Sequence, residues 1–254
     1  MTIGIGFLCD DGIVLCSDNQ ITYEDSHKFY QCKLDSYISE GCQVVFTYAG
    51  SPDFMKSFYG KFRDHVQQTS QSVVTARKVQ DAIETVLYLF DTPDAQGTSI
   101  IAGVVVPDSE MKLFRTNGRI VGEVSNYDYV GIGDSSLLRY LRPIIAGTTI
   151  KSVHQALSVG VYLVYAAKRY IDGCGGDTDA MVLRPTGTIE TRSSSTSNIE
   201  QSLGMIEILA SKAAESFFDG SQDQKEFEER VARLCRKLKD ERSELRFARP
   251  SIVQ

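Results

Sequence analysis

The chain of 254 residues alternates between short apolar runs and longer stretches in which apolar residues recur every three or four positions. The short runs are typical of β-strands, and the longer repeats are typical of amphipathic helices. Strands are predicted at 2–8, 13–17, 32–38, 43–48, 98–106, 112–116, 122–130, 179–184 and 188–192. Helices are predicted from 51 through at least 66, and at 75–90, 135–145, 150–171, 199–218 and 225–238.

The order of these elements predicts the fold class. Up to residue 192 it runs strands, two helices, strands, two helices, strands. The strands follow one another in hairpins, for which Asp11-Gly12 and Pro185-Thr186-Gly187 supply turn residues, so largely antiparallel sheets are expected. Two facing sheets, each covered by a pair of helices, would bury every apolar face. We therefore predict an α+β fold built as a four-layer α-β-β-α sandwich.

The last quarter of the chain has a different pattern. The polar run Ser193-Ser194-Ser195-Thr196-Ser197 predicts a linker, which places one domain at 2–192 and a linker with a helical extension at 193–254. The last predicted helix is highly charged and carries a narrow apolar stripe of Phe227, Val231, Leu234 and Leu238. Two interpretations stay open for it: a solvated surface helix, or a helix that contacts another subunit.

Composition narrows the function classes. A formal charge of −6 without a basic stripe argues against nucleic-acid binding. No apolar run approaches the about 18 residues of a membrane span, and no signal peptide is predicted, so we expect a cytoplasmic protein without membrane contact. The six cysteines show no CxxC pair and no metal-ligand spacing. They are predicted to be free thiols, and no metal or cofactor is expected.

The common catalytic motifs are missing from the sequence. His27, His65 and His154 are isolated from one another, and no G-x-S-x-G elbow accompanies them. Gly4 and Gly6 lack the third glycine and the following helix of a dinucleotide-binding fingerprint. These patterns therefore predict neither a serine hydrolase triad nor a nucleotide site.

The first residues of the chain offer a different chemistry. An initiator methionine is commonly removed when the next residue is small, as Thr2 is. Removal would free an amine with a pKa near about 7.7–8, which can act as the general base for the neighbouring hydroxyl. Such a site also needs a cation, a carboxylate to hold it and a backbone N–H for an oxyanion. Lys33, Asp18 and Gly50 are the candidates. The alternative is a strand threonine behind a retained methionine.

Several segments resemble proteasome-type N-terminal nucleophile (Ntn) hydrolases. They are Thr2, Asp11-Gly12, Ser17-Asp18-Asn19-Gln20, Lys33-Leu34 and Ala49-Gly50. The resemblance covers roughly residues 2–192 and is strongest in the first 55, although Lys33 falls one residue early and requires a deletion in the preceding loop. It implies the same four-layer fold, with Thr2 as nucleophile and Lys33 lowering its pKa. It also implies that Asp18 holds the lysine and that the Gly50 N–H forms the oxyanion hole.

Within this family, the details resemble bacterial branches. Gln20 is similar to the corresponding glutamine of the bacterial ATPase-dependent ring protease subunit, whereas segments 131–134, 142–145 and 175–179 are similar to the Anbu group, an ancestral-type bacterial proteasome homologue. Two positions depart from typical β subunits. Ile132 and Cys174 stand where the family has serines, and Asp172 is one position out of register, so the set that positions the threonine amine is incomplete.

The resemblance implies a threonine peptidase that cleaves peptides or unfolded proteins within a homo-oligomeric ring or spiral. The sequence identifies no ATPase partner. Gln20 and Ile21 are the predicted substrate-binding residues, with Pro52 and Asp53 nearby. Two other functions stay open: a catalytically silent ring subunit, and an Ntn amidohydrolase that acts on a small amide.

Overall fold

The computed structural model describes residues 2–22, 27–69, 75–107, 109–131, 150–191, 193–218 and 223–247. The chain divides into two compact units between Ser193 and Ser194. The first unit is a mixed α+β structure with antiparallel sheets, and the second is helical.

In its described residues, the first unit contains two five-stranded sheets in which every pair of neighbouring strands is antiparallel. One sheet consists of β1 (Ile3–Cys9), β2 (Gly12–Asp18), β10 (Tyr127–Gly131), β11 (Thr178–Leu183) and β12 (Ile189–Thr191). Its strands lie side by side in the order β10-β1-β2-β11-β12. The other runs in sequence order through β5 (Leu34–Ile38), β6 (Gln43–Ala49), β7 (Ser99–Val106), β8 (Glu110–Asn117) and β9 (Ile120–Val124). A separate hairpin joins β3 (Gln20–Thr22) to β4 (Lys28–Tyr30).

The two large sheets face each other across a shared apolar core. Ile13 and Leu15 of β2 belong to one buried cluster with Val45, Ile101 and Leu113 of the second sheet. Because side chains alternate along a strand, the residues between these positions point to the opposite face. The shared cluster removes the inner faces of both sheets from water.

Helices cover the outer faces. The helices are α1 (Pro52–Thr69), α2 (Ala76–Tyr88), the short α3 (Pro93–Gly97) and α4 (Val153–Tyr170). Phe58 of α1 and Ile83 of α2 share a buried cluster with Phe46 and Phe114, which lie on the outer face of the second sheet. Helix α4 packs on the first sheet, where Gly160 approaches the Cys16 side chain so closely that a Cβ would lie 2.7 Å from its sulfur.

Two sequence predictions for the first unit differ from the structure, and a third cannot be compared with it. The predicted strand 122–130 is in fact two strands, β9 and β10, which belong to different sheets. The β3–β4 hairpin lies in a polar stretch for which no strand was predicted. The predicted helix 135–145 lies outside the described residues.

The second unit contains α5 (Ser193–Phe218) and α6 (Gln224–Phe247). The serine-rich run was predicted to be a linker, and this prediction of its local structure is wrong, because α5 already begins at Ser193. Serine and threonine are favoured at helix starts, so a polar run of this kind fits a helix entry as well as a linker. Among the helices of the described part, none is long and apolar enough to cross a membrane.

Candidate active site

Strand pairing brings Thr2 beside Asp18. β1 and β2 form a hairpin in which Gly4 lies opposite Ser17. Thr2 immediately precedes β1 and Asp18 is the last residue of β2, so both lie at the same end of the first sheet. The Thr2 Oγ1 hydroxyl donates to Asp18 Oδ1 over 2.5 Å. Both side chains are buried.

Lys33 reaches this pair from the second sheet. It lies directly before β5, and its Nζ donates to Thr2 Oγ1, to Asp18 Oδ1 at 2.9 Å and to the Gln20 backbone carbonyl at 2.5 Å. Three acceptors match the three N–H groups of an ammonium. The residue is 2% exposed. The structure therefore shows Lys33 in contact with Thr2, although it falls one residue early relative to the family pattern.

The Asp18 carboxylate receives donors from every side. Oδ1 accepts from the Thr2 hydroxyl, the Ile3 N–H at 3.0 Å and Lys33, while Oδ2 accepts from the Gly175 N–H at 3.1 Å. A fully buried charge is costly unless it is paired and hydrogen-bonded, and both conditions are met here. Asp18 is therefore held in one position and in turn fixes Lys33.

Burial changes the acid–base behaviour of Lys33. Removal from water lowers the lysine pKa, and the neighbouring Asp18 carboxylate partly opposes this shift. A lysine with a lowered pKa exchanges a proton more readily near neutral pH than an ordinary one. Because Lys33 Nζ contacts Thr2 Oγ1, this proton exchange can take place with the Thr2 hydroxyl.

A cavity of about 380 Å³ opens beside this cluster. Thr2, Lys33 and Gly50 all line it. Gly50 follows β6 with φ +140°, and a Cβ there would lie 2.3 Å from the Thr98 hydroxyl oxygen, so only glycine fits. The predicted oxyanion residue thus shares a cavity with the predicted nucleophile.

The predicted substrate residues Gln20 and Ile21 also line this cavity. The Gln20 side-chain amide donates to Thr22 Oγ1 at 3.2 Å, while the Gln20 backbone carbonyl accepts from Lys33 Nζ. Pro52 and Asp53 are at the start of α1 and are not among the described residues that line the cavity.

Sequence reasoning missed several residues at the site. Ser99 and Arg115 line the cavity from β7 and β8, and the Gly175 N–H binds Asp18. Alternation along β8 offered one signal, because Arg115 lies two positions after the core residue Leu113 and so occupies an inward-facing position. Of the residues that the structure describes, no group of three or more His, Cys, Asp or Glu side chains is arranged to hold a metal.

Gly131 supports Thr2 from the neighbouring strand. It has φ +84°, and a Cβ there would lie 2.2 Å from the Thr2 carbonyl oxygen. We expect Gly131→Ala to displace Thr2 and to lower kcat/KM of any hydrolysis that depends on Thr2 by about 100-fold, since small misplacements at a reacting group have effects of that size. Steady-state kinetics on a fluorogenic peptide would measure it.

Gly118→Ala is the matched control for this prediction. Gly118 also has positive φ, +59°, but a Cβ there would meet nothing within 4 Å. Its substitution carries a similar backbone cost without touching the site. Equal losses of activity in the two variants would contradict a specific role of Gly131.

Cys174, which stands where the family has a serine, is buried near the cluster. Burial, followed by the Asp18 charge, raises the pKa of its thiol to about 12, while Lys33 acts in the opposite direction. Ile132 lies outside the described residues. All six cysteines are free thiols, as the sequence predicted.

Cys174 is therefore expected to react slowly with alkylating reagents. A pH of 8 is far below the raised pKa of the Cys174 thiol, so the thiol stays protonated. Only the thiolate reacts effectively with an alkylating reagent. We expect iodoacetamide to label the exposed Cys235 well before Cys174, as read by peptide mass spectrometry over time. Faster labelling of Cys174 would identify it as a reactive thiol.

No protein-family model matches the sequence, and no curated protein matches it significantly. Solved structures do match. They are bacterial proteasome-like Ntn hydrolase homologues, and this fold is the one that the chain shares. The resemblance predicted from the sequence is confirmed at the level of fold.

The particular proteins in this comparison are Anbu structures. The Anbu Gly-1 mutant from Hyphomicrobium sp. strain MC1 is 14% identical, with a TM-score of 0.70 over 85% of this chain and 100% of that one. Anbu (ancestral beta-subunit) from Yersinia bercovieri is 15% identical, with a TM-score of 0.68 over 82% and 96%. The helical assembly of the Anbu complex from Pseudomonas aeruginosa gives 15% identity and a TM-score of 0.57 over 82% and 95%.

Proposed function

We propose that this chain is a threonine peptidase of the proteasome family, with Thr2 as its N-terminal nucleophile. The observation that carries the proposal is the contact of Lys33 Nζ with both Thr2 Oγ1 and Asp18 Oδ1 in a buried cluster beside a cavity. A lysine that binds a hydroxyl stabilises the oxygen as it loses its proton. A buried ion pair as a whole is often no more stabilising than well-packed hydrophobic side chains, so stability alone does not explain why Lys33 and Asp18 occur together here.

In the proposed reaction, Thr2 Oγ1 attacks a peptide carbonyl carbon while its proton passes to the free Thr2 amine. Lys33, held by Asp18, stabilises the oxygen as it becomes nucleophilic. The N–H of Gly50 stabilises the oxyanion of the tetrahedral intermediate. The C–N bond then breaks, and the leaving amine takes a proton from the Thr2 ammonium. Water attacks the remaining ester, releases the acid and restores the hydroxyl.

We also propose a layer arrangement and domain boundaries for the chain. We assign an Ntn hydrolase domain in the four-layer α-β-β-α arrangement to residues 2–192 and a C-terminal extension to the remainder. The facing sheets and the helices on both outer sides support this assignment. The described part of the extension is helical throughout, apart from Asp223.

Assembly follows as part of the same proposal. One similar structure is a helical assembly of an Anbu complex, which supports a homo-oligomeric ring or spiral for this chain. We propose peptides or unfolded proteins as substrates and the cytoplasm as the location. The chain itself identifies no ATPase partner.

A β-lactone tests the proposal directly. We expect it to acylate Thr2 Oγ1, to increase the intact mass by one equivalent and to stop hydrolysis of fluorogenic peptides by the assembled protein. Peptide mapping would locate the adduct. Lack of both adduct and hydrolysis would leave the silent ring subunit as the better description. Turnover of a small amide in the absence of peptide cleavage would favour the amidohydrolase.

A further inference from the structure

Arg115 places a second cationic side chain in the wall of the cavity that Thr2 lines. It lies on β8 two residues after Leu113, whose side chain is in the core between the sheets, whereas Phe114 packs on the outer, helical side. Arg115 therefore points inward at the end of the sheet, where the core gives way to the cavity.

The guanidinium is tethered but not enclosed. Its Nη1 donates to Asp128 Oδ1 over 2.9 Å, and the side chain remains 34% exposed. Asp128 is its only hydrogen-bond or ion-pair partner within the described ranges. A guanidinium carries five N–H donors in a rigid fork, so a single bond to Asp128 leaves donors for another group.

The other cation of the cavity is already satisfied. Lys33 is 2% exposed and its ammonium binds three acceptors, Asp18 among them. Among the described lining residues, none is an aspartate or a glutamate. Among the described lining residues, the charged side chain that remains accessible is therefore Arg115, whose guanidinium keeps N–H donors beyond the one that binds Asp128.

We propose that Arg115 selects an acidic side chain, so that the preferred substrate carries glutamate or aspartate beside the bond that Thr2 attacks. As a statement about cleavage it rests on the proposed function. As a statement about binding it does not, because a carboxylate would pair with the guanidinium whether or not the bond is cut. Charge-assisted bonds of a guanidinium to a carboxylate are stronger than neutral ones and directional.

The test is a binding measurement that turnover cannot disturb. Two blocked, fluorescein-labelled hexapeptides differ only in having glutamate or glutamine at one central position. Fluorescence anisotropy gives Kd for each on the full-length Thr2→Ala protein. We expect the glutamate peptide to bind about tenfold more tightly, and this ratio to fall close to one when Arg115→Gln is added.

Lys112→Gln is the matched control. Lys112 lies on the same strand and is also paired with a carboxylate, Glu123 at 2.6 Å, but it does not line the cavity. It should preserve the ratio, and Arg115→Lys should keep part of it. Thermal melts of both Arg115 variants check folding. The proposal is overturned if neither peptide binds, if both bind equally, or if the preference survives Arg115→Gln.

The binding measurement, together with a hydrolysis assay on the wild-type protein, separates this proposal from the proposed function. A glutamate preference that depends on Arg115, combined with no hydrolysis by the wild-type protein, would sustain the binding site and reject the peptidase. Hydrolysis by the wild-type protein without any preference for the glutamate peptide would support the peptidase and reject the binding site at Arg115.

Discussion

Thr2→Ala is expected to abolish peptide hydrolysis while leaving assembly intact. The substitution removes the Oγ1 atom that Lys33 and Asp18 both contact and that forms the ester in the proposed reaction. Removal of a covalent nucleophile typically lowers kcat by about a millionfold, which is background in a peptide assay. Fluorogenic peptide turnover and light scattering on the same sample would measure activity and size.

Thr186→Ala provides the control for this variant, since Thr186 lies in the exposed turn between β11 and β12. It should retain wild-type turnover. Thr2→Ser should retain part of it, because serine keeps the hydroxyl. Turnover that persists in Thr2→Ala would exclude Thr2 as the nucleophile.

Lys33→Ala is expected to lower kcat/KM by about 1,000-fold or more, the equivalent of about 4 kcal/mol of transition-state stabilisation. The lysine is the described cation that contacts Thr2 Oγ1, and its lowered pKa follows from its burial. Steady-state kinetics on the assembled protein would measure the loss. Lys61→Ala, at an exposed position of α1, should have no comparable effect.

Loss of Lys33 also leaves Asp18 buried without its ion pair, which costs about 3–5 kcal/mol of stability. The double variant Lys33→Met with Asp18→Asn removes both charges and should fold better than Lys33→Ala while remaining inactive. Substantial activity in a folded double variant would contradict the role assigned to the pair.

The sequence was most informative where the site residues are close along the chain. Thr2 and Asp18 lie at the two ends of the β1–β2 hairpin, and Lys33 and Gly50 lie at the two ends of the β5–β6 pair, so short-range spacing was enough to group them. Arg115, Gly131 and Gly175 come from three later segments. Their approach to Thr2 and Asp18 depends on strand register and on how the sheets face each other, which local patterns do not specify.

The errors in the fold have similar causes. Residues 120–131 contain two strands separated only by Ser125-Asn126. Because this break is short, the apolar and polar residues on both sides of it look like the pattern of a single strand. Sheet membership depends on tertiary pairing, so β9 and β10 could not be assigned to different sheets in advance. The serine run at 193–197 contains residues that suit both a linker and a helix start, and the structure has the helix.

The free amine of Thr2 is the central requirement, and the intact mass of the purified chain with N-terminal sequencing tests it most directly. The proposed chemistry predicts a mass lower by one methionine and threonine as the first residue. Retention of Met1 would place the amine on another residue, remove the general base and contradict the peptidase.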